Sequence, residues 1–187
     1  VLTRCPFGCS ARETRSHVLS GCLPRYGGAY TKRHDAVVRK ISAFLSAVWS
    51  GVLRAGSREV RTNVSNSSRS SNAIPAGALP PCHELASLCP DIMLVSRVMG
   101  RPHVDIIEVG VTAESSLDWA SAKKISQYSQ LCQAICDYGV FTCSYRVLLV
   151  GCLGLIPATS YKVLYDLVPG SWRGAKSAVV QTCRALS

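Results

Sequence analysis

Four residues near the start of the chain constrain its folding most. Cys5, Cys9, His17 and Cys22 stand in the pattern C-x3-C-x7-H-x4-C. Residues 1–30 around them are rich in Cys, Gly and Arg, and the segment is too short to bury a hydrophobic core of its own. Such a piece needs a metal or a neighbour to hold a shape. Three thiolates and one imidazole at short spacings are the ligand set of a closed tetrahedral zinc site. Bound zinc would supply the folding energy that a core cannot. The expectation is a zinc knuckle over 1–30, with structural zinc on Cys5, Cys9, His17 and Cys22, followed by a second domain over 31–187.

The remainder has the composition of a packed domain. The chain is 187 residues long, 48% hydrophobic and 17% charged, which excludes a wholly disordered protein. No run of 18 apolar residues occurs, so no membrane helix is expected. The first residues do not read as a signal peptide, and Met is missing, so the chain reads as an excised domain of a longer polypeptide. Of the other cysteines, Cys82, His83 and Cys89 hint at a second metal but lack an obvious fourth ligand. Cys132 and Cys136 are one helical turn apart, and Cys143 and Cys152 lie in an apolar segment. These are expected to pack as buried free thiols, in keeping with a reducing compartment.

Charge is spread unevenly. Formal net charge is +10, and a surplus of that size points to a polyanion, nucleic acid before an acidic membrane surface. Residues 1–61 hold eleven Lys/Arg against three Asp/Glu, a surplus of +8. Positions 84–118 hold six acids (Glu84, Asp91, Asp105, Glu108, Glu114 and Asp118) against Arg97 and Arg101, a deficit of −4. That deficit is either a cation site or a solvated acidic patch.

Hydrophobic periodicity orders the rest. Val37, Val38, Ile41, Phe44, Leu45, Val48 and Leu53 recur near a 3.6 period, predicting a helix from Lys32 with a basic start. Residues 57–81 contain six Ser, three Asn, three Arg and three Pro with a single acid, and read as a flexible insertion. Two sequons there, Asn63-Val64-Ser65 and Asn66-Ser67-Ser68, are taken as chance matches. The apolar runs 91–98 and 104–111 predict an antiparallel hairpin. A helix over 114–138, a buried strand over 141–153 and closing helices over 158–168 and 174–186 complete an α/β domain.

A turn at Met99-Gly100 would place Asp91 opposite Glu108 on one face of that hairpin. Two such carboxylates repel unless a cation lies between them, and Mg²⁺ or Mn²⁺ held there suits phosphodiester chemistry. Asp105 is three residues before Glu108 and falls on the other face. On the following helix Lys124 and Tyr128 share a face. A lysine there would stabilise charge on an attacked phosphate, or else be an ordinary surface lysine beside Lys123.

Pro90-Asp91, Glu108 in a strand and Lys124 on the next helix resemble the PD-(D/E)xK nuclease motif in a variant form. The usual lysine position, two after the second carboxylate, is here Gly110. The family's K-x-x-K-Y helix pattern appears as Lys124-Ile125-Ser126-Gln127-Tyr128. Together with the zinc knuckle and Arg33-His34-Asp35, this order is similar to the C-terminal region of site-specific, R-two-type non-LTR retrotransposon proteins. The likeness covers about residues 5–135. It implies a PD-(D/E)xK restriction-endonuclease-like core, a mixed sheet flanked by helices, in a nuclear protein that nicks target DNA. The exposed 3′-hydroxyl would prime reverse transcription by a reverse-transcriptase domain of the same polypeptide. It assigns Asp91 and Glu108 to magnesium, Lys124 to the phosphate with Tyr128 in support, and Arg33, His34 and Asp35 to the neighbourhood of the site. Arg12, Arg15, Lys32, Arg33, His34, Arg39 and Lys40 are the expected contacts to DNA or element RNA. The alternatives are a catalytically degenerate nucleic-acid-binding module and another PD-(D/E)xK nuclease such as a junction resolvase.

Overall fold

The computed structural model describes residues 4–14, 17–18, 22, 29–50, 59–62, 74–168, 177 and 181. Helix α1 spans Ala29–Ser50. It buries Val37, Val38, Ile41, Leu45 and Val48, a stripe at helical spacing that turns one face to the sheet. It starts three residues before the expected Lys32. Its proposed extension to Leu53, the sequons, Arg15 and all of the helix over 174–186 except residues 177 and 181 lie outside the described residues.

Strand β1 spans Glu59–Thr62, β2 spans Ile92–Val98 and β3 spans Arg101–Thr112. Helix α2 spans Leu117–Tyr138, β4 spans Thr142–Gly151 and α3 spans Ala158–Asp166. The strands form one mixed sheet in the order β1-β2-β3-β4. The first two pairings are antiparallel, whereas β3 and β4 run parallel. A parallel pair needs a long crossover, which α2 supplies.

The hairpin has the register expected from a Met99-Gly100 turn: Val98 pairs with Arg101 and Ile92 with Ile107. Both turn residues have positive φ, 50° at Met99 and 81° at Gly100, as a tight two-residue hairpin turn requires. The reading of 57–81 as one flexible insertion is corrected by β1, which pairs with β2. Four residues are too few to show a period against Ser-rich flanks; the open edge of β2 supplies the pairing. The far end of the segment is also packed, with Ala78 and Leu79 buried.

Side chains alternate across the sheet and build two cores. Ile92, Ile107, Val109, Val111, Leu148 and Val150 pack with α1 and with Leu164 of α3. On the other face, Met93, Val104 and Ile106 pack with Tyr128, Leu131 and Ile135 of α2. The result is a mixed α/β arrangement of helix, sheet and helix. Val147-Leu148-Leu149-Val150 reads as an apolar run because β4 is covered on both faces. Among the described residues no helix is long and apolar enough to cross a membrane.

Candidate carboxylate site and metal centre

The N-terminal ligands converge. Cys5 Sγ lies 3.5 Å from Cys22 Sγ, Cys9 Sγ 2.9 Å from His17 Nε2 and 4.0 Å from Cys22 Sγ. All four ligand atoms fall within 4.8 Å of one another. A tetrahedron with thiolate arms of about 2.3 Å has edges of about 3.8 Å, so the set can hold a zinc ion. Local backbone shapes the pocket. Gly8, at φ 81°, turns the chain between the first two thiols, Cys5 N–H donates to Ala11 O, and Thr14 Oγ1 caps His17 N–H. Burial pushes the Cys5 thiol up, but the Phe7 backbone and its Cys9, His17 and Cys22 neighbours bring it down to about 7.

As the lack of a fourth ligand led one to expect, Cys82, His83 and Cys89 do not form a metal cluster among the described residues. His83 Nδ1 instead accepts from Leu85 N–H and caps a short 3₁₀ turn, Glu84–Ser87, and Cys82 and Cys89 are exposed. The expectation that the other cysteines are buried is likewise corrected: Cys136 is exposed, and Cys132, Cys143 and Cys152 are half-buried. Cys143 packs at the margin of the second core, whereas Cys152 follows β4 and lines the cleft beside α1. Cys183 lies outside the described residues.

At the open end of the β2–β3 hairpin, Asp91 and Glu108 meet as the register requires. They are locked by a reciprocal exchange. Asp91 N–H donates to Glu108 Oε1 at 3.0 Å, and Val109 N–H donates to Asp91 Oδ2 at 2.8 Å. Lys124 reaches across from α2, its Nζ 2.7 Å from Glu108 Oε2 and 3.5 Å from Asp91 Oδ2. Its neighbour Lys123 turns away and lies 5.1 Å over the Trp119 ring. The geometry therefore distinguishes the two lysines.

Gly110 explains how Lys124 enters. A Cβ at position 110 would come 3.4 Å from Lys124 Cε and 2.6 Å from Leu149 Cδ2. The lysine stem thus lies over the bare strand position from which the usual motif projects its own lysine.

His34, expected both near the site and among the nucleic-acid contacts, bonds directly to Asp91. Its Nε2 lies 3.2 Å from both Asp91 Oδ2 and Val109 O, and Nδ1 lies 3.4 Å from Asp35 Oδ1. Both ring nitrogens face acceptors only, which calls for a proton on each. Burial opposes that charge, yet Asp91 and Asp35 outweigh it and raise the His34 pKa. Asp91 is correspondingly held below its ordinary range: burial raises it, and the His34 hydrogen bond and charge more than reverse this. Glu108 is only 2% exposed. Burial and the Asp91 charge lift it to about 7, against the pull of Lys124. Burial disfavours charge on Lys124, but Glu108 and Asp91 overcome this and raise it.

The remaining candidates have separate places. Tyr128 is buried under the site, stacks on Tyr145 at 6.2 Å and directs its hydroxyl to Cys89 O at 3.5 Å; burial, then Glu108, raises its pKa. Asp35 touches the site through His34. Asp105 lies on the opposite face, against Ser144, Arg146 and His103. Glu114 accepts from Leu153 N–H and ties down the loop after β4. Only two of the six clustered acids therefore converge. Arg12, Lys32, Arg39 and Lys40 are exposed, whereas Arg33 is half-buried. Arg33 and Lys40 line a cleft between α1 and the end of β4. No protein-family model matches the chain, and no curated protein matches it.

Proposed function

We propose that this chain is a metal-dependent DNA endonuclease of the PD-(D/E)xK kind. One observation carries the reading: two carboxylates from unlike environments share one end of a sheet with a lysine ammonium bound to both. Burial and the Asp91 charge raise Glu108 to about 7 while Asp91 is held low and charged, a split that suits a site built to accept a cation and lose a proton. Mg²⁺ or Mn²⁺ on Asp91 and Glu108 would activate a water and neutralise the attacked phosphate.

The chain's own groups do the rest. Asp91 is aimed by Val109 N–H and by His34, so its carboxylate is held in place before any cation arrives. Lys124 donates a proton in the hydrogen bond to Glu108. With a cation held by the carboxylates, its ammonium would be placed to bind a non-bridging phosphate oxygen and stabilise charge in the transition state. Tyr128 packs beneath and keeps α2 at the correct height. The basic surface of α1 and the zinc-binding segment supplies phosphate contacts that set register without reading sequence. In-line attack by water would leave a 3′-hydroxyl and a 5′-phosphate. Within a retrotransposon protein of the type this sequence resembles, that hydroxyl would prime reverse transcription of the element's RNA.

The test is nicking of supercoiled plasmid with Mg²⁺, followed by end-group analysis. The reading expects 3′-hydroxyl and 5′-phosphate termini and no product from Asp91→Ala, with DNA binding retained. Salt-sensitive binding without cleavage under any divalent metal would instead identify a nucleic-acid-binding module.

A further inference from the structure

Beside the carboxylates lies a cleft of about 250 Å³ with a different chemistry. Its walls come from the first turns of two helices: Tyr30 on α1, and Trp119, Lys123, Lys124 and Gln127 on α2, with Gly110 as floor. Trp119 is 66% exposed and Tyr30 40% exposed. A tryptophan this exposed forfeits much of the burial for which such a side chain is normally used. Lys123 stands over one face of its ring, and Tyr30 stacks on His34 at 6.5 Å, so both aromatic groups are held by cationic or ring partners. Gly110 is two strand residues beyond Glu108, about 6.6 Å along β3, and Lys124 borders both cleft and carboxylates. A group seated over Gly110 is within one nucleotide of anything bound at Asp91.

We propose that this cleft binds one unpaired nucleobase of the DNA strand whose phosphate reaches Asp91 and Glu108. The base would stack on Trp119 or Tyr30, Gln127 would offer its amide to the base edge, and Lys123 would meet the adjoining phosphate. Every base has a π-face, so such a site is tolerant of sequence. It requires the strand to be unpaired at that nucleotide, since a stacked and paired base presents no face to Trp119. The enzyme would then favour frayed, bubbled or single-stranded DNA at the cut. The proposal rests on the endonuclease reading only for the direction of the strand; the cleft's affinity for a base is independent of cleavage.

The test compares two probes of equal charge by fluorescence polarisation, in Ca²⁺ buffer without Mg²⁺. One is an oligothymidylate of about twelve residues; the other is an abasic oligomer with the same phosphates. Stacking of one base is worth roughly 5- to 100-fold in affinity, so the native chain is expected to prefer the first probe by that margin. The preference should collapse towards one in Trp119→Ala, persist in Trp119→Phe and weaken in Tyr30→Ala. Trp119 and Tyr30 are exposed, so the fold should survive both truncations. A ratio near one in the native chain, or a ratio unchanged by Trp119→Ala, would overturn the proposal. Nicking with a ratio of one would sink this site and spare the endonuclease; a ratio intact without nicking under Mg²⁺ would do the reverse.

Discussion

At the residue scale, the pKa of Glu108 has a direct consequence. With the group lifted to about 7, the cation must displace a proton at acid pH. Affinity for Mn²⁺ is expected to rise by up to about tenfold per pH unit below 7 and to level off above it. Calorimetry in two buffers of different ionisation enthalpy should register proton release near pH 6.5, and a pH-independent affinity would refute this. The same shift acts on stability. A carboxyl whose folded pKa is raised stabilises the protein below its unfolded value of 4.5, and that contribution is lost as pH rises through 7. Glu108→Gln should therefore flatten the fall in thermal midpoint of the metal-free protein between pH 5 and 7.5.

Lys124 permits a sharper test at the same scale. Truncation in Lys124→Ala should cut the nicking rate by about 100-fold or more, the usual effect of removing a donor to developing charge. Its stem covers Gly110, so the double variant Gly110→Lys, Lys124→Ala should recover part of that loss by restoring an ammonium from the strand. Recovery equal to zero in a correctly folded double variant would mean that the lysine acts from the helix alone.

At the element scale, the hairpin was the most legible part of the chain. A two-residue turn leaves one register, and that register brings position 91 opposite 108. The turn is imperfect in one respect. Met99 is fully exposed at φ 50°, a conformation that an unbranched apolar residue adopts at a cost. Met99→Asn should stabilise the protein by about 0.5–1 kcal/mol in denaturant unfolding; destabilisation would contradict the turn geometry. Other features could not be read from sequence. The resemblance put His34 near the site, but its bond to Asp91, 57 residues away, follows from no local pattern. Edge strand β1 carries too little period to be seen, and the exposure of the cysteines depends on how α2 is rotated about its axis. The departure at Gly110 was visible as a missing lysine, and Lys124 was the expected substitute; the packing of α2 over β3 lays its stem over Gly110.

At the scale of the whole molecule, the charge surplus and deficit have separate physical roles. The exposed basic residues of α1 can meet phosphate, whereas the clustered acids divide between one paired site and unrelated structural contacts. The Cys5, Cys9, His17 and Cys22 cluster, which can hold zinc, contributes nothing to either hydrophobic core among the described residues. Removing zinc with a chelator should therefore abolish hydrogen-exchange protection at Cys5 and Gly8, whose N–H groups are bonded within the knuckle. Protection in β3 and β4 should remain. Collapse of both together would show that zinc supports the entire chain.

The proposed function requires Asp91 and Glu108 to form one cation-dependent cutting site. The most direct measurement is the Mg²⁺-dependent nicking rate of Glu108→Gln beside the native chain, at equal DNA occupancy measured in Ca²⁺. Glutamine keeps the shape and the contact to Asp91 N–H while removing the charge that holds a cation. The expected loss is at least about 1,000-fold with DNA affinity unchanged; a nicking rate equal to that of the native chain would rule out a cation site at these carboxylates.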